Sequence, residues 1–297
     1  MTSKNDAPLC PAPDPNPRKP MIAVPADACD CHAHVFGPAA RYPYQDERSY
    51  TPPDAPLDSL RAMHEVFGVG RAVIVQASVH GTDNRAVVDA VARDPENLRG
   101  VCAIGEDVTE AELTRLHESG IRGMRVNIVD RGGMPFSSLD AVTHMGERIA
   151  DMGWHIEFLV HVHDSPELIQ LVRTLPVPAV VGHVGYTKTE AGLDHPGYQE
   201  FLALVRDGNL WVKLTGPYRI SARERPPYDD VTPFARAVVN AAPNRIVWGS
   251  DWPHVLLYRP MPNDADLIDC LADWVPDTDT RRRILVDNPA ELFGFER

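Results

Sequence analysis

Eight short apolar runs rich in β-branched residues recur along the chain, and most are followed by a stretch of helical period. The runs are ACDCHAH (28–34), RAVIVQ (71–76), RGVCAI (99–104), RGMRVN (122–127), HIEFLV (155–160), PAVVGH (178–183), LWVKLT (210–215) and RIVWGS (245–250). Between them lie amphipathic segments such as LDSLRAMHEVFG, NRAVVDAVARD, TEAELTRLHESG and ELIQLVRTL, with Gly120 and Pro176 as stop signals. Parallel neighbours need a crossover, so strand–helix alternation implies a parallel sheet. Eight units predict a (β/α)8 TIM-like barrel. An open doubly wound sheet is the alternative, but no G-x-G-x-x-G follows an early strand. The first 25 residues are rich in proline, which neither continues a helix nor donates to a ladder. The expected organisation is a proline-rich N-terminal arm over 1–25 and one barrel domain over 26–297.

Charge and cysteine usage narrow the function. A net charge of −13 argues against nucleic acid or an anionic membrane as partner. A small anionic substrate stays open, because arginines inside a pocket act locally while the diffuse surface charge is screened within about 10 Å. No apolar run approaches the roughly 20 residues of a membrane helix, and no secretory h-region is seen at the start. Cys10, Cys29, Cys31, Cys102 and Cys270 are odd in number and scattered, which fits a reducing cytoplasm. Cys29 and Cys31 are expected as packing residues facing away from the residues between them. A homo-oligomer is left open.

The run ACDCHAH ends in two histidines one residue apart. In a strand, positions i and i+2 share a face, so His32 and His34 stand side by side. Their ring nitrogens need partners: a metal, a carboxylate or a substrate oxygen. Barrel chemistry sits at the C-terminal ends of strands. That rule adds ASVHGTDN after the second run, NIVDRGG after the fourth, His183 at the end of the sixth and Asp251 after the eighth. A lone aspartate there is more often a helix cap, and the histidine pair is what favours a reactive role. Arg125 lies inside an apolar strand and needs an anion from protein or substrate. Glu157 and His161 share a face by alternation and are further candidate ligands if it points inward. Lys213 also sits within a strand, and no role is assigned to it.

HVFGP, VIVQASVHGTDN, GIRGMRVN, GHVG and IVWGSDWPH, together with His32, His34, His183 and Asp251, resemble the amidohydrolase superfamily (amidohydrolase-related family 2) over about residues 26–294. Within it they are similar to the 2-pyrone-4,6-dicarboxylate lactonases and 4-sulfomuconolactone hydrolases. The resemblance implies a barrel hydrolase that opens an acidic lactone in aromatic catabolism. Carried over by position, Asp251 would be the general base. His32, His34 and His183 would polarise the carbonyl, as imidazolium groups or through a metal. Arg125, Arg131 and Arg219 would hold the acidic groups, with Ser78 and Tyr50 as further substrate contacts. His32, His34, His183 and Asp251 would be the ligands of one divalent ion, zinc by ligand type. The branch also includes metal-free catalysis, so both routes stay open. Leu159 stands where the pyrone lactonases have a tyrosine, and Tyr186 where they have an arginine. Losing an arginine fork changes the anion recognised. A metal-dependent decarboxylase of an aromatic or muconate-type acid, a sugar-acid lactonase and a non-catalytic metabolite binder are the alternatives.

Overall fold

The computed structural model describes residues 7–130 and 132–296; Arg131 lies outside the described residues. Eight strands, β1 (Cys29–Ala33), β2 (Arg71–Val75), β3 (Leu98–Cys102), β4 (Ile121–Asn127), β5 (His155–Leu159), β6 (Ala179–Val181), β7 (Leu210–Leu214) and β8 (Ile246–Trp248), form one sheet in chain order. Every consecutive pair is parallel. Helices α1 (Leu57–Phe67), α2 (Arg85–Val91), α3 (Glu110–Glu118), α4 (Leu139–Ile149), α5 (Pro166–Thr174), α6 (Pro196–Arg206) and α7 (Thr232–Ala241) connect them. This is the expected (β/α)8 barrel. The strands end earlier than the apolar runs mainly at their C-terminal ends, where residues such as His183 and Ser250 leave the ladder.

Two apolar layers follow from strand alternation. Ala72, Ile74, Met124, Ile156, Phe158 and Val212 join the large cluster shared with the helices. Val73, Val75, Val101, Val180, Trp211 and Val247 form a separate cluster inside the barrel, joined by Phe293 and Phe295 from the C-terminal segment. Cys29 and Cys31 belong to this inner cluster as packing residues, and all five cysteines are free and buried. Strict alternation fails between Asp30 and Ala33, where the register with β2 shifts. Asp30 turns outward to His64 on α1, 3.1 Å away, whereas His32 points inward like Cys31. The sequence pattern put His32 on the face opposite the cysteines; the irregularity re-aims it, as bulges beside reactive sites do.

Closure of the cylinder is unlike the other seven contacts. β1 meets the segment just beyond β8: Asp251 N donates to His32 O and His34 N to Trp252 O, both at 2.8 Å. Gly249 makes this possible, because a Cβ there would lie 2.6 Å from His32 N and 2.7 Å from His32 Cβ. Asp30 fastens the same seam, accepting from Ser250 N (2.9 Å) and Ser250 Oγ (2.5 Å). Residues 7–25 form neither helix nor strand, apart from an isolated bridge between Leu9 and Thr51. They are anchored by Arg18, which pairs with Asp266 (2.6 Å) and Asp269 (2.8 Å) of α8 (Asp264–Asp269). Among the described residues no helix is long and apolar enough to cross a membrane.

Candidate active site

The strand ends bring His32, His34, His183 and Asp251 to one point at the barrel mouth, all of them buried. The rings of His32 and His34 are 5.0 Å apart, and those of His32 and His183 5.5 Å. Asp251 Oδ1 lies 3.6 Å from His32 Nε2 and 3.9 Å from His34 Nε2, and its Oδ2 lies 4.0 Å from His183 Nδ1. Asp251 and His183 have φ of 64° and 52°, in the left-handed region that costs a non-glycine residue about 1–3 kcal/mol. The turns that aim these side chains are therefore held by the surrounding structure.

Each ring has a partner that decides its tautomer. His34 Nδ1 is 2.8 Å from Val75 O, a pure acceptor, so that nitrogen carries the proton and Nε2 presents a lone pair. His32 Nδ1 lies 3.1 Å from Glu157 Oε1 and 3.3 Å from Lys213 Nζ. The lysine already donates to Glu157 Oε2 (2.6 Å) and Cys31 O (2.8 Å), and the carboxylate is the shorter contact. We therefore assign the His32 proton to Nδ1 and its lone pair to Nε2. Thr215 Oγ1 accepts from His183 N (3.0 Å) and lies 2.9 Å from His183 Nδ1. Its own proton serves that nitrogen, leaving His183 as the ring that can present an N–H at Nε2.

Three electron-rich atoms thus face one another with no hydrogen between them. His32 Nε2 and Asp251 Oδ1 are both buried without a hydrogen-bond partner. Asp251 Oδ2, in contrast, is saturated, accepting from Tyr218 Oη (2.6 Å) and Arg219 Nε (2.5 Å). Burial alone would raise the Asp251 carboxyl, but the charge and hydrogen bond of Arg219 lead the effects that outweigh it and hold it well below the usual carboxylate range. Burial lowers His32, with Lys213 adding to the effect; it also lowers His34 and His183, so the imidazoles are neutral near pH 7. The expectation of imidazolium groups at the carbonyl does not hold, because burial and nearby cations oppose a positive ring. Glu157 resists its own burial through Lys213 and His32 and stays ionised.

The expected substrate arginines separate. Arg125 is buried, donates through Nη1 to Gln76 O (2.9 Å), leaves Nε unpartnered, and among the described residues pairs with no carboxylate. Arg219 is committed through Nε to Asp251 and through Nη2 to Val255 O (3.1 Å), so only Nη1 is outside these bonds. A narrow cleft of about 20 Å³ above the cluster is lined by both arginines, Ser78, Tyr50, Leu159 and Tyr186 among others. A second, roomier cleft of about 200 Å³ adjoins it through Ser78 and Arg125. His161 turns to Tyr186 O (2.9 Å) rather than to the cluster. Sequence reasoning left out Lys213, Glu157's pairing, Thr215 and Tyr218. The charged residues inside the apolar runs of β5 and β7 were the available signal for the first two. Nothing in the sequence marked the others.

Among the described residues, His32, His183 and Asp251 offer ligand atoms within 4.8 Å of one another. His34 stands just beside this group. A parallel eight-stranded barrel with this histidine and aspartate set at its mouth defines a hydrolase of the amidohydrolase type. The chain belongs to the amidohydrolase family, whose sequence profile matches residues 29–295. It is 40% identical over 289 residues to a 2-pyrone-4,6-dicarboxylate hydrolase of Comamonas testosteroni, covering 95% of this chain and 94% of the relative. It is 38% identical over 302 residues to a 4-sulfomuconolactone hydrolase of Rhizobium radiobacter, covering 99% of each. A solved structure from Acinetobacter baumannii, named for 2-pyrone-4,6-dicarboxylic acid hydrolase and holding citric acid, superposes with a TM-score of 0.80 at 27% identity. It covers 91% of this chain and all of that one.

Proposed function

We propose that this protein hydrolyses a small acidic lactone of the kind formed in aromatic catabolism, such as a pyrone dicarboxylate or a sulfonated muconolactone. The observation that carries the reading is the pair of orphaned acceptors, His32 Nε2 and Asp251 Oδ1, 3.6 Å apart beside an arginine without a carboxylate. A water between them donates a hydrogen to each acceptor and keeps a lone pair for attack. Its oxygen adds to the lactone carbonyl while Asp251 Oδ1 takes the proton. The C–O bond of the ring breaks, and the proton passes to the departing oxygen, giving a ring-opened acid. His183 Nε2–H supports the developing oxyanion. Arg125, with Ser78 and Tyr50 on the same cleft wall, holds the acidic group; Arg219 mainly orients Asp251 and keeps Nη1 uncommitted. The same role is proposed for Arg131.

The neutral imidazoles and the unpaired carboxylate oxygen also fit a divalent cation. His32, His183 and Asp251, with His34 adjacent, would hold it, the His183 proton then residing on Nδ1 with Thr215 Oγ1 accepting it, and ligand type supports zinc. When bound it supplies Lewis acidity to the carbonyl oxygen or to water. Five free, buried thiols support a reducing, cytoplasmic setting. The test is a panel of acidic lactones followed by acid release, run with and without chelator, with metal content measured on the same sample. Ring opening without CO₂ release is expected. No turnover of any acidic lactone overturns the reading.

A further inference from the structure

The N-terminal arm touches both sides of the reactive cleft. Thr51 N donates to Pro8 O (2.8 Å), Cys10 N to Thr51 O (2.9 Å) and Thr51 Oγ1 to Ala7 O (3.1 Å). Tyr50, the neighbour of Thr51, lines the cleft. On the other side, Leu256 N donates to Cys10 Sγ (3.3 Å), and Leu256 is itself a cleft residue. Leu256 has φ of 64°, a conformation that needs external support. Downstream, the arm is pinned by Arg18 N to Asn263 Oδ1 (3.1 Å), Asn263 Nδ2 to Asp14 Oδ2 (2.9 Å) and the Arg18 ion pairs on α8. Cys10 is buried in the main core, whereas Leu9 beside it is 76% exposed, so the arm is held by specific contacts at Cys10.

We propose that the arm is a positioning element of the substrate cleft: Cys10 ties the Tyr50–Thr51 segment to Leu256 across the seam between β1 and β8. Neither Cys10 nor its neighbours touch the reacting atoms. Their effect is on the width and rigidity of the cleft, hence on substrate binding more than on the chemical step. As a claim about catalysis this rests on the lactonase reading; as a claim about the cleft walls it does not.

Three variants test it: removal of residues 2–12, Cys10→Ala and Cys10→Ser. Hydrogen exchange reads the walls directly. Removal of 2–12 frees the amides of Thr51 and Leu256, and both exchange faster. Of these two amides Cys10→Ala frees only that of Leu256, because the Thr51 bonds use the arm's backbone; it also removes the Cys10 Sγ contact with Tyr258 Oη (3.8 Å). Cys10→Ser restores an acceptor and returns Leu256 toward the wild-type rate. With the lactone turned over by the wild type, Cys10→Ala raises KM about fivefold, the worth of one hydrogen bond, with kcat within about twofold. Exchange at Leu256 unchanged in Cys10→Ala, or a fall in kcat at constant KM, overturns the proposal. If the shortened chain does not fold, the two Cys10 variants decide. If the wild type opens no lactone, the functional reading fails while exchange still decides the role of the arm.

Discussion

Asp251 shows how one side chain is divided between two tasks. One oxygen is fixed by Arg219 and Tyr218, and the other is left bare at the reactive point. Asp251→Asn is expected to lower kcat by about 10²–10⁴-fold, the contribution of a positioned base. It also leaves Arg219 buried without its counter-charge, a loss of about 3–5 kcal/mol, so the melting temperature falls together with the rate. The carboxyl lies below its ordinary range when folded. Its stabilising ion pair is therefore intact above the unfolded value of about 3.9 and is lost as pH falls through the lower folded value. Profiles of kcat/KM and of melting temperature should show no acid limb from this group above about pH 4. A limb near pH 6 would assign the base elsewhere. Glu157 fixes the His32 tautomer from behind. Glu157→Gln is expected to reduce kcat by about 10–100-fold, the range for partners of a reactive histidine, and nitrogen NMR of the His32 ring should show the proton leaving Nδ1. An unchanged ring signal would leave Glu157 as a structural partner of Lys213 alone.

The elements were legible in the sequence where local pattern decides them, and illegible where distant strands meet. All eight strands and the helices α1, α2, α3 and α5 follow from period and stop signals, since each run must bury one face inside the barrel and one under a helix. His32, His34, His183 and Asp251 were legible because barrel topology collects strand ends. The Asp30 register shift was not, because it arises from how β1 accommodates the closing segment rather than from its own residues. Arg219 reads in sequence as a substrate arginine, and only the fold places Asp251 beneath it. Gly249 carries this closure. Gly249→Ala would drive a methyl group into His32 N and Cβ, a backbone contact that cannot yield cheaply. The expected cost is about 1–3 kcal/mol, as for overpacking, with a fall in melting temperature larger than for an alanine placed at Gly182, where φ is −81° and nothing lies within 4 Å. Parallel melting curves and rates check this; equal effects at the two sites would remove the seam from the explanation.

The whole molecule carries a charge of −13 yet lines a cleft with Arg125, the arginine proposed to hold the substrate's acidic group. Long-range repulsion and short-range attraction thus oppose each other. Salt shortens the reach of exposed charges from about 30 Å at 0.01 M to about 8 Å at 0.15 M, while a buried guanidinium is screened much less. The association-limited rate, kcat/KM, should therefore rise across this range, measured with a neutral salt. A steady fall would mean that local arginines dominate even at distance.

The hydrogen bonds that shut the cylinder are made by the main chains of His32, His34, Asp251 and Trp252. Any breathing of that last joint pulls the Asp251 carboxylate away from the imidazoles before a single strand is lost. Under the proposed mechanism a gaping molecule would be silent rather than inaccurate. The same few atoms that complete the architecture hold the proposed base in place.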